Sequence, residues 1–233
     1  MQEVGKALKT VLNLGNGLLL PIRLMNETAR AFEKRKFEEI ANRFQYIPED
    51  QIIDVSPEIG VPIMDRLSYT GDESLRSLFI ELLAKAATAS LVESAHPSFV
   101  QIISLISPDE AILIRHLCNG NSTPLISLEA RNQMTGATTT LHDFIIEPPS
   151  DIIFPERLPL YLSNLVGLGL IEIRRSTWIT EDGAYDSVEN YAKEKCNPPS
   201  SVNIGGEDIP VSTDKHVIIG LPYGMAFTKA CTS

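Results

Sequence analysis

Residues 70–118 constrain the fold most, because their apolar side chains repeat at helical spacing with few interruptions. Leu75, Leu78, Phe79, Leu82, Leu83, Ala86 and Ala87 fall at i, i+3, i+4, i+7, i+8, i+11 and i+12. That is one stripe of a helix, and it has to be buried against other elements. Thr70 and Glu73 have capping-box spacing for its start, with Asp72 as the alternative cap. Pro97 followed by Phe99, Ile102, Ile103 and Ile106 predicts a second helix, and Ser107-Pro108-Asp109-Glu110 opens a third that runs to Cys118.

Upstream, residues 26–46 contain neither Gly nor Pro and place Phe32, Phe37, Ile40, Ala41 and Phe44 on one side. This predicts a long amphipathic helix whose outer face pairs Lys34 with Glu38, Arg35 with Glu39 and Glu39 with Arg43. Pro21 separates it from an earlier helix over residues 4–19. Residues 47–69 read as an extended linker and a short helix. That helix starts either at Ser56-Pro57 or, to avoid Pro62, near Val61.

After Gly120 the chain turns polar, Thr-rich and Pro-terminated, which reads as a loop with one or two short strands. Leu158, Tyr161, Leu162 and Leu165 predict a helix over 156–168, followed by the strand-like LIEIRR. A polar, acidic insertion separates that strand from a second, HVIIGL, which leads into a final helix ending at Cys231. Helix, strand, long loop, strand, helix is the ending of a winged-helix unit. The expected fold is therefore mainly α: a helical bundle with an N-terminal amphipathic arm and a C-terminal winged-helix-like α+β unit. Its parts are an arm at 1–47, a central bundle at 48–119, and the winged-helix-like unit at 120–233. Within the last lie a polar loop (120–153) and an acidic insertion forming an enlarged wing (176–215), part of it mobile around Asn197-Pro198-Pro199-Ser200-Ser201 and Gly205-Gly206.

The 233 residues are 43% hydrophobic and 21% charged, which excludes a wholly disordered or low-complexity chain. The net charge is −10, yet residues 1–45 carry eight basic and five acidic side chains, leaving the rest at −13. A chain this acidic repels a phosphate backbone. The candidate reading helix of the winged-helix unit offers only Arg157 as a base, so strong nucleic-acid binding is not expected. Cys118, Cys196 and Cys231 are too few for a disulfide framework. The apolar start is interrupted by Asn13, Gly15, Asn16 and Gly17 and has no cleavage site, so it does not read as a signal peptide. A cytoplasmic protein, peripheral at most to the inner membrane face, is the expectation.

Five blocks keep an order that resembles the abortive infection alpha family of bacteria. They are LLLPIRLMNE before a charged helix, IPEDQIIDVSPEIGVPIMDRLSYTGDESLRSLFIELLAKA, HPSFVQIISLISPDEAILIRHL, YLSNLVGLGLIE and LPYGMAFTKAC. The last departs from the family's Leu-Thr-Pro turn at Leu221-Pro222-Tyr223. The resemblance implies an anti-phage role by abortive infection, and it brings no catalytic motif, cofactor or metal.

Residue chemistry offers one enzymatic reading. His142-Asp143, with His116 upstream, superficially matches the ligands of a metal-dependent phosphohydrolase, since imidazole and carboxylate suit a divalent cation. The competing reading is a surface His-Asp dipeptide, because no helical period converges the ligands. Lys193 and Lys195 beside Cys196 open the further reading of a lowered thiol pKa. No metalloprotease helix, phosphate-binding lysine loop, nucleophile elbow or paired C-x-x-C occurs. The stretch containing Lys6, Lys9, Leu12, Leu18, Leu19, Leu20 and Arg23 could lie on an anionic membrane or pack on protein, either the body or a dimer seam. A non-enzymatic effector or sensor with a protein partner or homo-oligomer is the expected function. The alternatives are the hydrolase and a non-toxic regulatory interaction module.

Overall fold

The computed structural model describes residues 27–175 and 177–232. The described residues divide into two compact units, one made of those up to Ala111 together with those from Ala226, the other running from Ile112 to Met225.

The first unit is helical. α1 (Glu27–Phe44) buries Ile40 and Phe44. α2 (Pro57–Tyr69) takes the earlier of its two starts, with Pro57 in its first turn, and runs through Pro62. α3 (Glu73–Ala86) is capped by Asp72, whose carboxylate accepts from the Leu75 amide at 3.0 Å. α4 (Pro97–Leu105) and α5 (Pro108–Leu117) follow. α5 opens with a reciprocal box in which Ser107 N–H donates to Glu110 and Glu110 N–H donates to the Ser107 hydroxyl. The predicted stripe on α3 is the core: Leu78, Phe79, Leu82 and Leu83 are buried, with Ile63, Phe99 and Ile103. Phe227 packs edge-on against Phe99 at 5.5 Å between ring centres.

The charged face of α1 differs from its expectation. Arg35 does pair with Glu39 at 3.3 Å, but Arg43 reaches across to Glu81 of α3 at 2.5 Å, and Glu39 accepts from Arg76 at 3.0 Å. Helix-to-helix partners win because Glu81 and Arg76 are buried and need a counter-charge more than the partly exposed Glu39 or Arg43 do. Lys85 pairs with Glu81 at 3.3 Å and donates to the Lys229 and Thr232 carbonyls, which end the final helix α8 (Pro222–Cys231).

The second unit corrects the expected fold class. It contains a five-stranded antiparallel sheet, so the protein is α+β and not a mainly α helical bundle with a winged-helix-like end. β1 (Thr123–Arg131) and β2 (Thr138–Ile145) form a hairpin where a polar loop with one or two short strands was expected. β3 (Ile171–Arg174) follows α6 (Leu158–Gly167). α7 (Asp186–Cys196), β4 (Ser201–Ile204) and the first part of β5 (Glu207–Gly220) occupy the acidic insertion that was expected to form an enlarged wing. The strand order is β2-β1-β5-β3, with β4 also paired to β5. Two physical reasons explain the difference. β1 is covered along most of its length, so it shows no alternation of apolar and polar residues. β2 is an exposed edge whose three threonines read as loop by polarity although their branched Cβ favours a strand.

Val188, Ala192 and Tyr185 pack α7 and the turn before it onto Ile126, Leu128 and Ile145 of the hairpin. At the start of α8, a Cβ on Gly224 would come within 2.1 Å of the Leu170 carbonyl oxygen, so that close passage requires glycine. The Leu221 amide donates to the same carbonyl at 2.9 Å, and the helix after the departed turn is intact. Among the described residues no helix is long and apolar enough to cross a membrane.

Candidate functional site

The register of the hairpin sets the site. Ile126 faces Ile145 and Leu128 faces His142, so two steps along β1 meet three along β2, which is a bulge at Asp143-Phe144. Phe144 takes the left-handed backbone conformation, with φ of 57°. For a bulky residue this costs about 1–2 kcal/mol and has to be held by its surroundings. The holding contacts are visible. The Phe144 amide donates to Asp143 Oδ1 at 3.0 Å, and the Arg175 guanidinium lies over the Phe144 ring at 5.2 Å.

Asp143 is the centre of a polar cluster. The Ser127 hydroxyl donates to its Oδ1 at 2.6 Å, and Arg175 Nη2 donates to its Oδ2 at 2.6 Å. His216 Nε2 lies 3.1 Å from Ser127 Oγ, and the Tyr185 hydroxyl donates to the His216 carbonyl at 2.8 Å. Burial pushes the Asp143 carboxyl up, but Arg175, Ser127 and the Phe144 amide together hold it below the usual carboxylate range.

The proton order follows from these contacts. An ionised carboxylate only accepts, so the Ser127 proton points to Asp143, and His216 Nε2 must carry the hydrogen of the second bond. Ser127 and His216 are 0% and 1% exposed. A serine nucleophile needs the reverse: an accessible hydroxyl whose proton faces a basic imidazole nitrogen, with the carboxylate behind the imidazole. The cluster thus clamps β1, β2 and β5 to the segment after β3, and does not activate Ser127.

The metal reading fares no better. His142 is exposed on β2, Asp143 is occupied by the clamp, and His116 is exposed in the last turn of α5. His116, His142 and Asp143 do not converge, and among the described residues no three His, Cys, Asp or Glu side chains are placed to hold a metal ion. Nor is the Cys196 thiol activated, since burial pushes its pKa up. Burial also raises the Cys231 thiol far above its ordinary value, against the pull of Lys85. Lys6, Lys9, Leu12, Leu18, Leu19, Leu20 and Arg23, the expected membrane or partner contacts, lie outside the described residues.

Beside the clamp, the bulge forms part of the wall of a cavity of about 610 Å³ between β2, the segment leading to α6, and the end of α7. Its walls include buried Ile146, Ile152 and Leu158, and its edge carries His142 and Lys195. A second cavity of about 510 Å³ involves Trp178, Tyr185, Asp214 and Lys215. Lys215 there is already paired with Glu189 at 3.1 Å and lies over the Tyr185 ring at 4.8 Å. Sequence reasoning missed Ser127, His216 and Arg175, and singled out Lys195 only as a neighbour of Cys196. The one available signal was Ser127 itself, a polar residue within the apolar run LISLEA.

A solved structure of an uncharacterized protein from the hydrocarbon-degrading marine bacterium Alcanivorax borkumensis SK2 is similar over 62% of this chain and 96% of its own. Its identity of 14% and TM-score of 0.32 are too low to bear on the fold. No curated protein matches the chain. The family model of abortive infection alpha matches residues 28–231, which take in both compact units and the clamp. With nearly the whole described chain covered, the protein belongs to the abortive infection alpha family.

Proposed function

We propose that this protein serves phage defense by abortive infection as a non-enzymatic effector or sensor, acting through contact with a protein partner or a membrane surface. Family membership supports the defensive role. The observation that carries the non-enzymatic reading is the 2.6 Å contact of the buried Ser127 hydroxyl with Asp143 Oδ1, which supports reading the grouping of serine, histidine and aspartate as a strand clamp. The basic, apolar N-terminal stretch supplies the contact in this reading, because Lys6, Lys9 and Arg23 flank a run of leucines in an otherwise acidic chain.

The test is survival of bacteria expressing the intact chain, or the chain lacking residues 1–25, under a phage panel at low and high multiplicity. The expected result is protection of the culture at low multiplicity, collapse at high multiplicity, and loss of both on truncation. Full protection by the truncated chain would overturn the N-terminal role, and full protection by Ser127→Ala with loss in His142→Ala would return the search to chemistry at the β2 edge.

A further inference from the structure

The geometry points to a binding site for a small organic monoanion with an apolar, ring-containing body in the cavity at the β2 bulge. The volume, about 610 Å³, lies inside the range of roughly 300–1,000 Å³ common to small-molecule pockets. Buried Ile146, Ile152 and Leu158 provide apolar wall, which a ring system can cover. Apart from the exposed Glu156 carboxylate, the polar side chains that remain available at the cavity are donors. Among the described residues Lys195 and His142 have no side-chain hydrogen-bond or ion-pair partner, and Tyr191 adds a hydroxyl. Lysine donates from its ammonium, and histidine keeps at least one N–H in either protonation state.

The acceptors tell the same story. Both oxygens of Asp143 are taken, Oδ1 by Ser127 and the Phe144 amide, Oδ2 by Arg175. Its charge is therefore balanced within the clamp and does not face a ligand alone. Glu156 also lines the cavity, and its charge disfavours a ligand with a second negative group. In a chain of net charge −10, an unpaired lysine and a histidine over apolar wall form a local exception that an anion would find. The strained Phe144 backbone fits this picture, since strain and bulges concentrate where a binding surface has to be shaped. This site is separate from the N-terminal contact proposed above and stands or falls without it.

The experiment is fluorescence titration of the full chain with anilinonaphthalene sulfonate, a monoanion with fused and single rings, and with its neutral relative phenylnaphthylamine. Saturable binding of the sulfonate is expected. Lys195→Glu, an exposed position, should weaken it by about tenfold while the neutral probe changes by less than about twofold. Lys193→Glu makes the same charge change on α7 away from the cavity and should leave both affinities unaltered. Circular dichroism of each variant checks that the helix content is kept. Absence of saturable binding to the intact chain, an unaltered sulfonate affinity in Lys195→Glu, or equal losses in Lys193→Glu and Lys195→Glu would each overturn the proposal.

Discussion

In the first unit Arg43, Glu81, Lys85, Arg76 and Glu39 meet as full charges between helices, whereas in the second Ser127 and His216 lie covered around one half-buried carboxylate balanced by Arg175. The two arrangements suit their surroundings. Long side chains on neighbouring helices can reach one another and bring their own counter-charges, so a buried Glu81 finds two cations. Within a sheet, strands are only about 5 Å apart and short side chains face each other directly, so a serine and a histidine can share protons without bringing net charge. The lesson is that removing a member should hurt the helical network more, because it leaves buried charge unbalanced.

The largest effect should come from Glu81→Ala, which strands Arg43 and Lys85: a loss of about 3–5 kcal/mol in urea unfolding, with amide exchange accelerated across α3. Gly224→Ala comes next, because its methyl group meets the Leu170 carbonyl and the Cys118 sulfur in a packed turn; about 3 kcal/mol is expected, read by thermal unfolding. Ser127→Ala should cost about 2 kcal/mol by leaving His216 Nε2–H and Asp143 short of a partner, with accelerated exchange in β1 and β5. If Ser127→Ala proves more damaging than Glu81→Ala, the contrast between the units is wrong.

Arg175→Ala should have the smallest effect on stability, below about 1 kcal/mol, since that ion pair is partly solvated. Its clearer signature is a rise in the titration point of Asp143, followed by carbon NMR of the carboxyl group. Acid provides a matching measurement. Glu81 is pushed up by burial but pulled down further by Arg43 and Lys85, so its folded pKa is below its unfolded one. The same sign holds for Asp143. Each therefore adds stability that is full above the ordinary carboxylate pKa and is lost as pH falls through the depressed folded value. Glu81→Gln should flatten the acid limb of the unfolding curve more than Asp143→Asn does.

The helical half was legible because its signals are local. The α3 stripe, the Asp72 cap and the Ser107–Glu110 box each lie within a few turns of chain. The sheet was not, because β1 is covered on both faces and β2 is a polar edge, so neither displays a period of two. His142-Asp143 was visible as a dipeptide, but its meaning depended on a bulge that sends Asp143 to Ser127 and leaves His142 outside. Residues 127, 143, 175 and 216 come together only through pairings across β1, β2, β3 and β5, and no spacing in the sequence encodes that.

The bond from Lys85 to the carbonyls of Lys229 and Thr232 carries a consequence for synthesis. Ribosomes deliver a chain from its N-terminus at about 5–20 residues per second, and domains generally fold as they emerge. The second unit is one continuous stretch and has all its residues once Met225 is made. The first unit, though begun earlier, still lacks Phe227 against Phe99 and the helix end that Lys85 caps. Emergence therefore reverses the order of completion: the region translated second is finished first, while Phe99 of α4 and the Lys85 ammonium of α3 wait for residues 226–232.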